Sequence, residues 1–282
     1  MLNYSYMEKL TFICERDGKI IDLLCKKGLS YNICQKSLRN KDIKVDQKRI
    51  NKNILVVKGQ EISIFYEEPI QSINKIYEDE NLLIVDKPQG IEVEGESGLA
   101  KRFEALAVHR LDRNTTGLTI LAKNQEAKDI LDKAIKNRTI TKKYIARVIG
   151  QTNFNGEYTA YLVKDSAKSL VKIYNSPVKN SVKIISIFKT IENKEDNSLV
   201  ECTLVTGKTH QLRAHLAFLG HAIIGDGKYG KNSDNKKFGA KFQLLRCFYI
   251  KFNKLDGNLN YLNGKEINID KNFNIKSKNL LT

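Results

Sequence analysis

The chain has 282 residues, 41% hydrophobic and 28% charged, which is typical of a soluble protein with one large domain or a large and a small one. Its 48 lysines and arginines exceed its 32 aspartates and glutamates, and the net charge of +16 favours a polyanionic partner, although a genome rich in lysine and asparagine codons gives the same excess. Five cysteines without C-x-x-C spacing argue against a disulfide framework and a zinc site, and we expect neither a signal peptide nor an apolar span of the ~20 residues that cross a bilayer.

The first predicted elements, over residues 17–66, form a small basic module. Helical apolar spacing begins at Ile20, and a second short helix fits Tyr31 to Leu38 with Ser30 as its N-cap. Period-two alternation and flanking turn residues then predict three short strands, at residues 43–45, 54–57 and 62–65.

Basic side chains crowd this module, several of them on or just after the second predicted helix. They would give the module one positive face, and an ordinary solvated helix face explains the same pattern equally well. The candidate RNA-binding residues are Lys36, Arg39, Lys41 and Lys44.

Two short helices followed by Ser37-Leu38-Arg39-Asn40-Lys41-Asp42-Ile43-Lys44-Val45-Asp46 resemble an S4 RNA-binding domain. The chain departs from that pattern at Asp46-Gln47, where many S4 domains carry Asn-Gly, so a tight turn with two positive φ angles is less expected here. We therefore divide the chain into an S4-like module over residues 1–66, a linker over 67–75 and a larger domain over 76–282.

The larger domain begins with a fully apolar strand at residues 82–85, which the turn residues Asp86-Lys87-Pro88-Gln89-Gly90 end. Helical periodicity predicts helices over residues 125–136 and 210–219. Further strands are predicted at residues 118–122, 143–149, 181–188 and 199–205, and the tail from Gly257 is weakly patterned. Many strands with scattered helices predict an α+β architecture, a mixed sheet with helices packed on it.

Residues 109–117 hold polar side chains directly before an apolar strand. Asp112 lies between Arg110 and Arg113, and flanking guanidiniums favour the ionised carboxylate that a nucleophile requires. An aspartate that caps a turn and pairs with a neighbouring arginine is the structural alternative, and for an isolated aspartate it is the better one.

Two later segments repeat this combination of polar and apolar residues. Tyr144 in a strand is explained by packing, or by a ring that stacks on a base with a phenol able to move a proton. Arg213 lies among apolar residues of a helix, which favours pairing with a buried carboxylate. The triplet Gly207-Lys208-Thr209 is not a P-loop, because Cys202 occupies the position of the first glycine.

In order, these segments resemble the RluA family of pseudouridine synthases from about Tyr77 to Phe252. The matching motifs are Lys87-Pro88-x-Gly90, His109-Arg110-Leu111-Asp112-x-x-Thr115-x-Gly117, the tyrosine strand, Gly207-x-Thr209-His210-Gln211-x-Arg213 and Gly220-His221-Ala222-Ile223-Ile224-Gly225-Asp226-x-x-Tyr229-Gly230.

The resemblance implies a role for each matched residue. Asp112 corresponds to the catalytic aspartate, Tyr144 to the active-site tyrosine and Arg213 to the arginine that ion-pairs with the aspartate. Arg110 corresponds to the residue that fills the space left by a flipped-out uridine. Leu245 corresponds to a leucine of the pocket, in a segment that carries Arg246-Cys247 where the family usually has His-Ala. Further candidate substrate-binding residues are His109, Arg113, Thr116, Lys208 and His210.

The implied function is isomerisation of uridine to pseudouridine in structured RNA, with no cofactor and no metal. The S4-like module favours large-subunit ribosomal RNA as substrate, and transfer RNA stays open. A catalytically idle RNA-binding or ribosome-assembly protein is the main alternative, against which the retention of Asp112, Tyr144 and Arg213 argues. A nuclease is weaker, since no metal-binding carboxylate cluster accompanies Asp112. We expect a cytoplasmic monomer without membrane contact.

Overall fold

The computed structural model describes residues 7–29, 31–67, 73–95, 97–165 and 170–273. The chain divides into two compact units between Ser72 and Ile73. This division falls inside the predicted linker over residues 67–75, of which 68–72 lie outside the described residues, as does the predicted N-cap Ser30.

The first unit combines two short helices with short antiparallel strands. Its elements are β1 (Met7–Ile13), β2 (Gly18–Lys19), α1 (Ile20–Lys26), α2 (Tyr31–Arg39), β3 (Ile43–Val45), β4 (Lys48–Ile50), β5 (Leu55–Val56) and β6 (Glu61–Glu67). Strands β1, β6, β3 and β4 form one sheet in that order, and β2 pairs with β5. Buried Ile20, Leu38 and Ile64 belong to one apolar core, which therefore joins both helices to the sheet.

The tight turn between β3 and β4 forms without Asn-Gly, contrary to our expectation. Asp46 and Gln47 adopt φ angles of 45° and 65°. The Asp46 carboxylate accepts the Glu61 backbone N–H at 2.9 Å and the Gln60 side-chain amide at 2.7 Å. Aspartate tolerates the left-handed region better than most residues, and these bonds to neighbouring chain hold the turn in place.

The four candidate RNA-binding residues lie on consecutive elements of this unit. Lys36 and Arg39 are in the last turn of α2, Lys41 follows it and Lys44 is in β3. The first three are exposed, and the half-buried Lys44 places Nζ over the Phe65 ring. Their contact with RNA stays a prediction.

The second unit is built on a large mixed sheet. Its strands are β7 (Lys75–Glu78), β8 (Leu82–Lys87), β9 (Leu106–Ala107), β10 (Thr116–Ala122), β11 (Ile140–Ile149), β12 (Asn155–Asp165), β13 (Leu170–Tyr174), β14 (Val182–Asn193), β15 (Asn197–Leu204), β16 (Leu245–Phe252) and β17 (Glu266–Asn268). In the described residues the sheet order is β13-β12-β14-β15-β11-β16-β10-β8-β7, with β9 paired to β10 and β17 to β16. Parallel pairing of β10 with β16 among antiparallel neighbours makes the sheet mixed, and the predicted α+β class is confirmed.

Four helices share a core with this sheet. They are α3 (Leu99–Arg102), α4 (Gln125–Lys136), α5 (Gln211–Phe218) and a 3₁₀ helix at Gly257–Leu262 in the weakly patterned tail. A further short helix, α6 (Asn232–Lys237), buries none of its residues. Asn124 caps α4 by accepting the Ala127 N–H at 2.8 Å, and Ala127 and Leu131 are buried with the sheet residues. Among the helices that the structure describes, none is both long and apolar enough to cross a membrane.

Candidate active site

Asp112 lies in the loop that leads from β9 into β10, and short-range bonds fix this loop. The Thr115 N–H donates to the Asp112 carbonyl at 2.9 Å, and the Gln243 amide donates to the Thr115 hydroxyl at 3.2 Å. Gly117 follows with a φ of 108°, and a Cβ there would lie 2.1 Å from the Cys247 carbonyl oxygen. Only glycine lets the loop enter the sheet this close to β16.

A buried lysine ties a second loop to the same place. Lys87, at the end of β8, donates from Nζ to the carbonyls of Pro88 at 3.0 Å, Ile91 at 2.6 Å and Arg113 at 2.8 Å. Burial lowers its pKa to about 7. Three acceptors satisfy the three N–H bonds of an ammonium, so Lys87 joins the turn after β8 to the residue that follows Asp112.

Arg213 on α5 connects two carboxylates. Its Nη1 lies 2.7 Å from Asp112 Oδ2, while Nε and Nη2 donate to Asp226 at 2.7 and 2.9 Å. Asp226 is fully buried; burial alone would raise its pKa, but the bonds from Arg213 outweigh burial and hold that pKa below its ordinary value. Asp112 remains 28% exposed, so the carboxylate that Arg213 holds can still reach a bound molecule.

Tyr144 on β11 and Leu245 at the start of β16 line a small pocket beside Asp112. The pocket has a volume of about 80 Å³, and Leu204 and Leu212 add to its apolar lining. Burial, together with Cys247 and Asp112 nearby, raises the pKa of Tyr144 well above its ordinary value. The phenol is therefore protonated at neutral pH and can donate a hydrogen bond, but it is not available as a phenolate base.

His210 lies near the same oxygen of Asp112 that Arg213 binds. Its Nε2 lies 3.9 Å from Asp112 Oδ2, and its Nδ1 lies 2.8 Å from the Tyr229 hydroxyl, which accepts the Val171 N–H. Burial lowers the pKa of His210, against the opposing effect of Asp112. In the tautomer whose Nδ1 accepts from Tyr229, the neutral ring carries its proton on Nε2, toward Asp112.

A larger cleft of about 660 Å³ adjoins the small pocket. The two share Arg110, Leu111, Asp112, His210 and Arg213. The rest of the cleft is strongly charged and contains one aromatic ring; its lining includes Glu92, Glu94, Arg113, Lys228, Lys241 and Phe242.

The predicted substrate-binding residues divide into those at these cavities and those inside the fold. Exposed Arg110 lines both cavities, Arg113 lines the cleft and donates from Nε to the Gly90 carbonyl, and Lys208 lines the small pocket. His109 and Thr116 line neither cavity. The His109 ring is buried and accepts the Ile120 N–H on Nε2, and the Thr116 hydroxyl lies 3.4 Å from the Leu245 carbonyl.

Sequence reasoning assigned no role to Lys87, Asp226 or Tyr229, although all three lie in the motifs that carried the resemblance. A glycine before Asp226 and the position of Lys87 between an apolar strand and Pro88 were the available signals. Neither signal indicates that Lys87 binds the Arg113 carbonyl or that Asp226 binds Arg213, because the tertiary fold brings these pairs together.

Comparison with known proteins extends these observations. Residues 81–218 match the family model of RNA pseudouridylate synthase. The ribosomal large subunit pseudouridine synthase C of Pasteurella multocida is 32% identical over 285 residues, covering 87% of this chain and 86% of that protein. An uncharacterized RNA pseudouridine synthase of Mycoplasma genitalium is 34% identical over 208 residues, and the chain spans only 64% of that relative's length.

A solved structure has a similar fold. The human RNA pseudouridylate synthase domain containing 1 superposes with a TM-score of 0.58 at 24% identity, covering 67% of this chain and 83% of that one. At this level of identity the likeness concerns the fold alone.

Proposed function

The chain belongs to the RluA-type family of RNA pseudouridine synthases, and from that premise we propose that it isomerises uridine to pseudouridine in RNA with Asp112 as the reactive carboxylate. One observation carries the proposal: Arg213 Nη1 holds Asp112 Oδ2 at 2.7 Å, beside a pocket formed by Tyr144 and Leu245. A carboxylate held this way is directed at a ring bound in the pocket.

The reaction breaks the N1–C1′ bond, turns the base and joins C5 to C1′, while a proton leaves C5 and N1 gains one. Whether the carboxylate attacks C1′ or the base, the step requires it ionised, and Arg213 supplies the counter-charge. Leu204, Leu212 and Leu245 form apolar walls on part of the pocket. These walls offer a detached uracil no hydrogen bonds that fix one orientation, so along them the base can turn. The protonated phenol of Tyr144 can donate a hydrogen bond to the base or the sugar.

The uridine must leave its stack to reach this pocket. Unstacking the base costs a few kcal/mol, and the cost is lowest where the base is already unpaired. Exposed Arg110 lines both the pocket and the cleft, where its guanidinium could occupy the space that the uridine leaves. We assign it this role by the family resemblance.

We propose large-subunit ribosomal RNA as the substrate. The names of relatives that share about 30% identity over most of their length support it, among them the synthase C of Haemophilus influenzae at 32% over 88% of both chains. A ribosomal substrate favours action in the cytoplasm, and we propose a monomer. We propose further that the first unit is an S4-like RNA-binding module that uses Lys36, Arg39, Lys41 and Lys44.

Tritium release from RNA carrying C5-tritiated uridine tests the reaction. We expect release by the wild-type chain and none by Asp112→Asn, which should still bind RNA within about twofold because Arg213 keeps Asp226 as a partner. Appreciable turnover by Asp112→Asn would contradict the assignment of the nucleophile. No release by the wild type would favour the idle RNA-binding protein.

The substrate is tested by mapping pseudouridines in a deletion strain complemented with wild type or Asp112→Asn. Loss and recovery of modification in large-subunit ribosomal RNA is the expected result. Changes confined to transfer RNA would overturn the ribosomal proposal and leave the reaction intact.

A further inference from the structure

The cleft beside the pocket contains an exposed aromatic ring that the reaction chemistry does not use. Phe242 is 42% exposed and lines the cleft between Lys241 and the buried Gln243. Among the aromatic and cation contacts that the described residues make, none involves Phe242. With 42% of its surface exposed, part of the residue is accessible to a molecule bound in the cleft.

The backbone that carries this ring is anchored at Phe242 and at the two residues that follow it. A Cβ on Gly225 would lie 1.9 Å from the Phe242 carbonyl oxygen, so the chain packs directly on the glycine that precedes Asp226. The Leu244 N–H donates to the Ile224 carbonyl at 2.9 Å. The Gln243 amide reaches the Thr115 hydroxyl in the Asp112 loop. The backbone of Phe242 is thus tied to the loop of the reactive carboxylate, which limits the backbone entropy lost when a ligand stacks on the ring.

The charges around the ring suit a nucleic acid strand. Arg110, Arg113, Lys228 and Lys241 line the same cleft and are exposed, and Arg213 makes five cations in its lining against three carboxylates, Glu92, Glu94 and Asp112. Excess cations attract phosphates, and an aromatic face stacks on any base. An acidic peptide would match the cations but would leave the aromatic face without a stacking partner.

The position of the cleft indicates which nucleotide it receives. The cleft shares Arg110, Asp112, His210 and Arg213 with the pocket. A strand that places one uridine in the pocket brings the neighbouring nucleotides close to the cleft, because consecutive nucleotides are covalently linked.

We propose that Phe242 is a stacking platform for the unpaired base next to the target uridine, with the cations of the cleft facing that nucleotide's phosphates. The identity of the ligand as RNA rests on the proposed function. Stacking is tolerant of sequence, so the platform would select an unpaired neighbour more than a particular base.

The test uses the full chain and a short single-stranded oligocytidine with one central uridine and a 2-aminopurine as its 5′ or 3′ neighbour. We expect the wild type to quench 2-aminopurine fluorescence at one of the two positions. Phe242→Trp should keep the quenching, and Phe242→Leu should lose it and bind about 5- to 100-fold more weakly. Phe218→Leu is the matched control, because Phe218 is 38% exposed and is not part of the cleft; it should behave as wild type.

Quenching and affinity that are equal in wild type and Phe242→Leu, or wild-type binding without quenching at either position, would overturn the stacking proposal. Absence of binding by the wild type would overturn it as well. Tritium release by the wild type is measured in parallel on cellular RNA. Release without Phe242-dependent quenching refutes the platform alone, whereas Phe242-dependent quenching without release refutes the isomerase and retains the RNA-binding site.

Discussion

Arg213 is bound more extensively to Asp226 than to Asp112. Two nitrogens, Nε and Nη2, donate to the buried Asp226 carboxylate, and only Nη1 reaches Asp112. Backbone N–H groups of Lys228 and Tyr229 also donate to Asp226, so its Oδ1 accepts three hydrogen bonds and its Oδ2 one. The guanidinium is therefore positioned from behind, by a carboxylate that lines neither cavity.

Replacing Asp226 by asparagine should impair both stability and turnover. The substitution keeps the shape but removes the charge that compensates a buried arginine, and breaking a buried pair costs about 3–5 kcal/mol. A guanidinium free to tilt would also misplace Asp112, and we expect kcat to fall on the order of 100-fold with a smaller change in KM. Urea unfolding followed by circular dichroism and tritium-release kinetics measure the two effects.

Asp256→Asn is the control for Asp226→Asn, because Asp256 pairs with Lys133 at 3.1 Å on the surface. An exposed pair contributes about 0–1 kcal/mol, so this variant should fold and react as wild type. If Asp226→Asn kept wild-type kcat, Asp226 would be a packing residue with no part in positioning Arg213.

The elements that the sequence predicted well are those with a strong local signal. The helix over residues 125–136 has an asparagine cap and a complete apolar stripe, and its observed bounds, Gln125–Lys136, agree with the prediction. Strands β12 and β16 gave no clear prediction, because charged residues interrupt their alternation. Arg246 within β16 is accommodated by two hydrogen bonds to Asp86, a partner 160 residues away that no local pattern reveals.

The same division holds in the site. Asp112, Tyr144 and Arg213 were singled out because each lies in a distinctive motif, and all three line one pocket; their catalytic roles stay predictions. The conformation of Asp46-Gln47 and the inward position of His109 were not predictable, because both depend on bonds to residues elsewhere in the fold. Local sequence indicated which residues are special, whereas tertiary contacts decide what each one does.

Removing the buried ammonium of Lys87 should loosen the Asp112 loop. Lys87→Met keeps the length of the side chain and removes the Lys87 donor from the carbonyls of Pro88, Ile91 and Arg113. The Arg113 carbonyl keeps the Gly90 N–H at 3.0 Å, so the loss concerns mainly the other two, each worth about 1–3 kcal/mol. We expect a loss of at least about 2 kcal/mol in urea unfolding and a reduced kcat. Lys123→Met removes an exposed lysine that bonds Glu78 and should cost less than about 1 kcal/mol. Equal stability of the two variants would contradict a role for Lys87 in tying the loops.

Stability should fall as the pH drops from about 6.5 to about 4. Burial lowers the pKa of His215 to about 4, and an unfolded histidine titrates near 6.5. Between these values the unfolded chain binds more protons than the folded one, so the free energy of unfolding rises with pH. The contribution of His215 is complete above about pH 6.5 and amounts to about 3 kcal/mol. Burial shifts the pKa of His109 in the same direction.

His215→Gln tests this assignment, because glutamine can keep a bond to Ser186 and does not titrate. Urea unfolding between pH 4.5 and 7.5, followed by circular dichroism since the chain has no tryptophan, should show a shallower pH dependence in the variant. Carboxylates with lowered pKa, such as Asp226, lose their contribution below this window. A pH dependence identical to wild type would exclude His215 as its source.

Neutralising the candidate RNA-binding residues should lower the salt dependence of RNA affinity more than it lowers turnover at saturation. The variant replaces all four residues by glutamine: Lys36→Gln, Arg39→Gln, Lys41→Gln and Lys44→Gln. If each of the four wild-type cations contacts a phosphate of single-stranded RNA, the slope of log K against log salt is smaller by about 3 in the variant. The control removes four exposed lysines elsewhere in the same unit, Lys19, Lys26, Lys52 and Lys58, by the same change to glutamine. The control lowers the net charge by the same amount as the test variant. If the effect depends on the cations at α2 and β3 in particular, the control should leave the slope nearly unchanged. Equal slopes for the two variants would show that the positive charge of this unit acts as a whole, and that these four residues are a solvated helix and strand face.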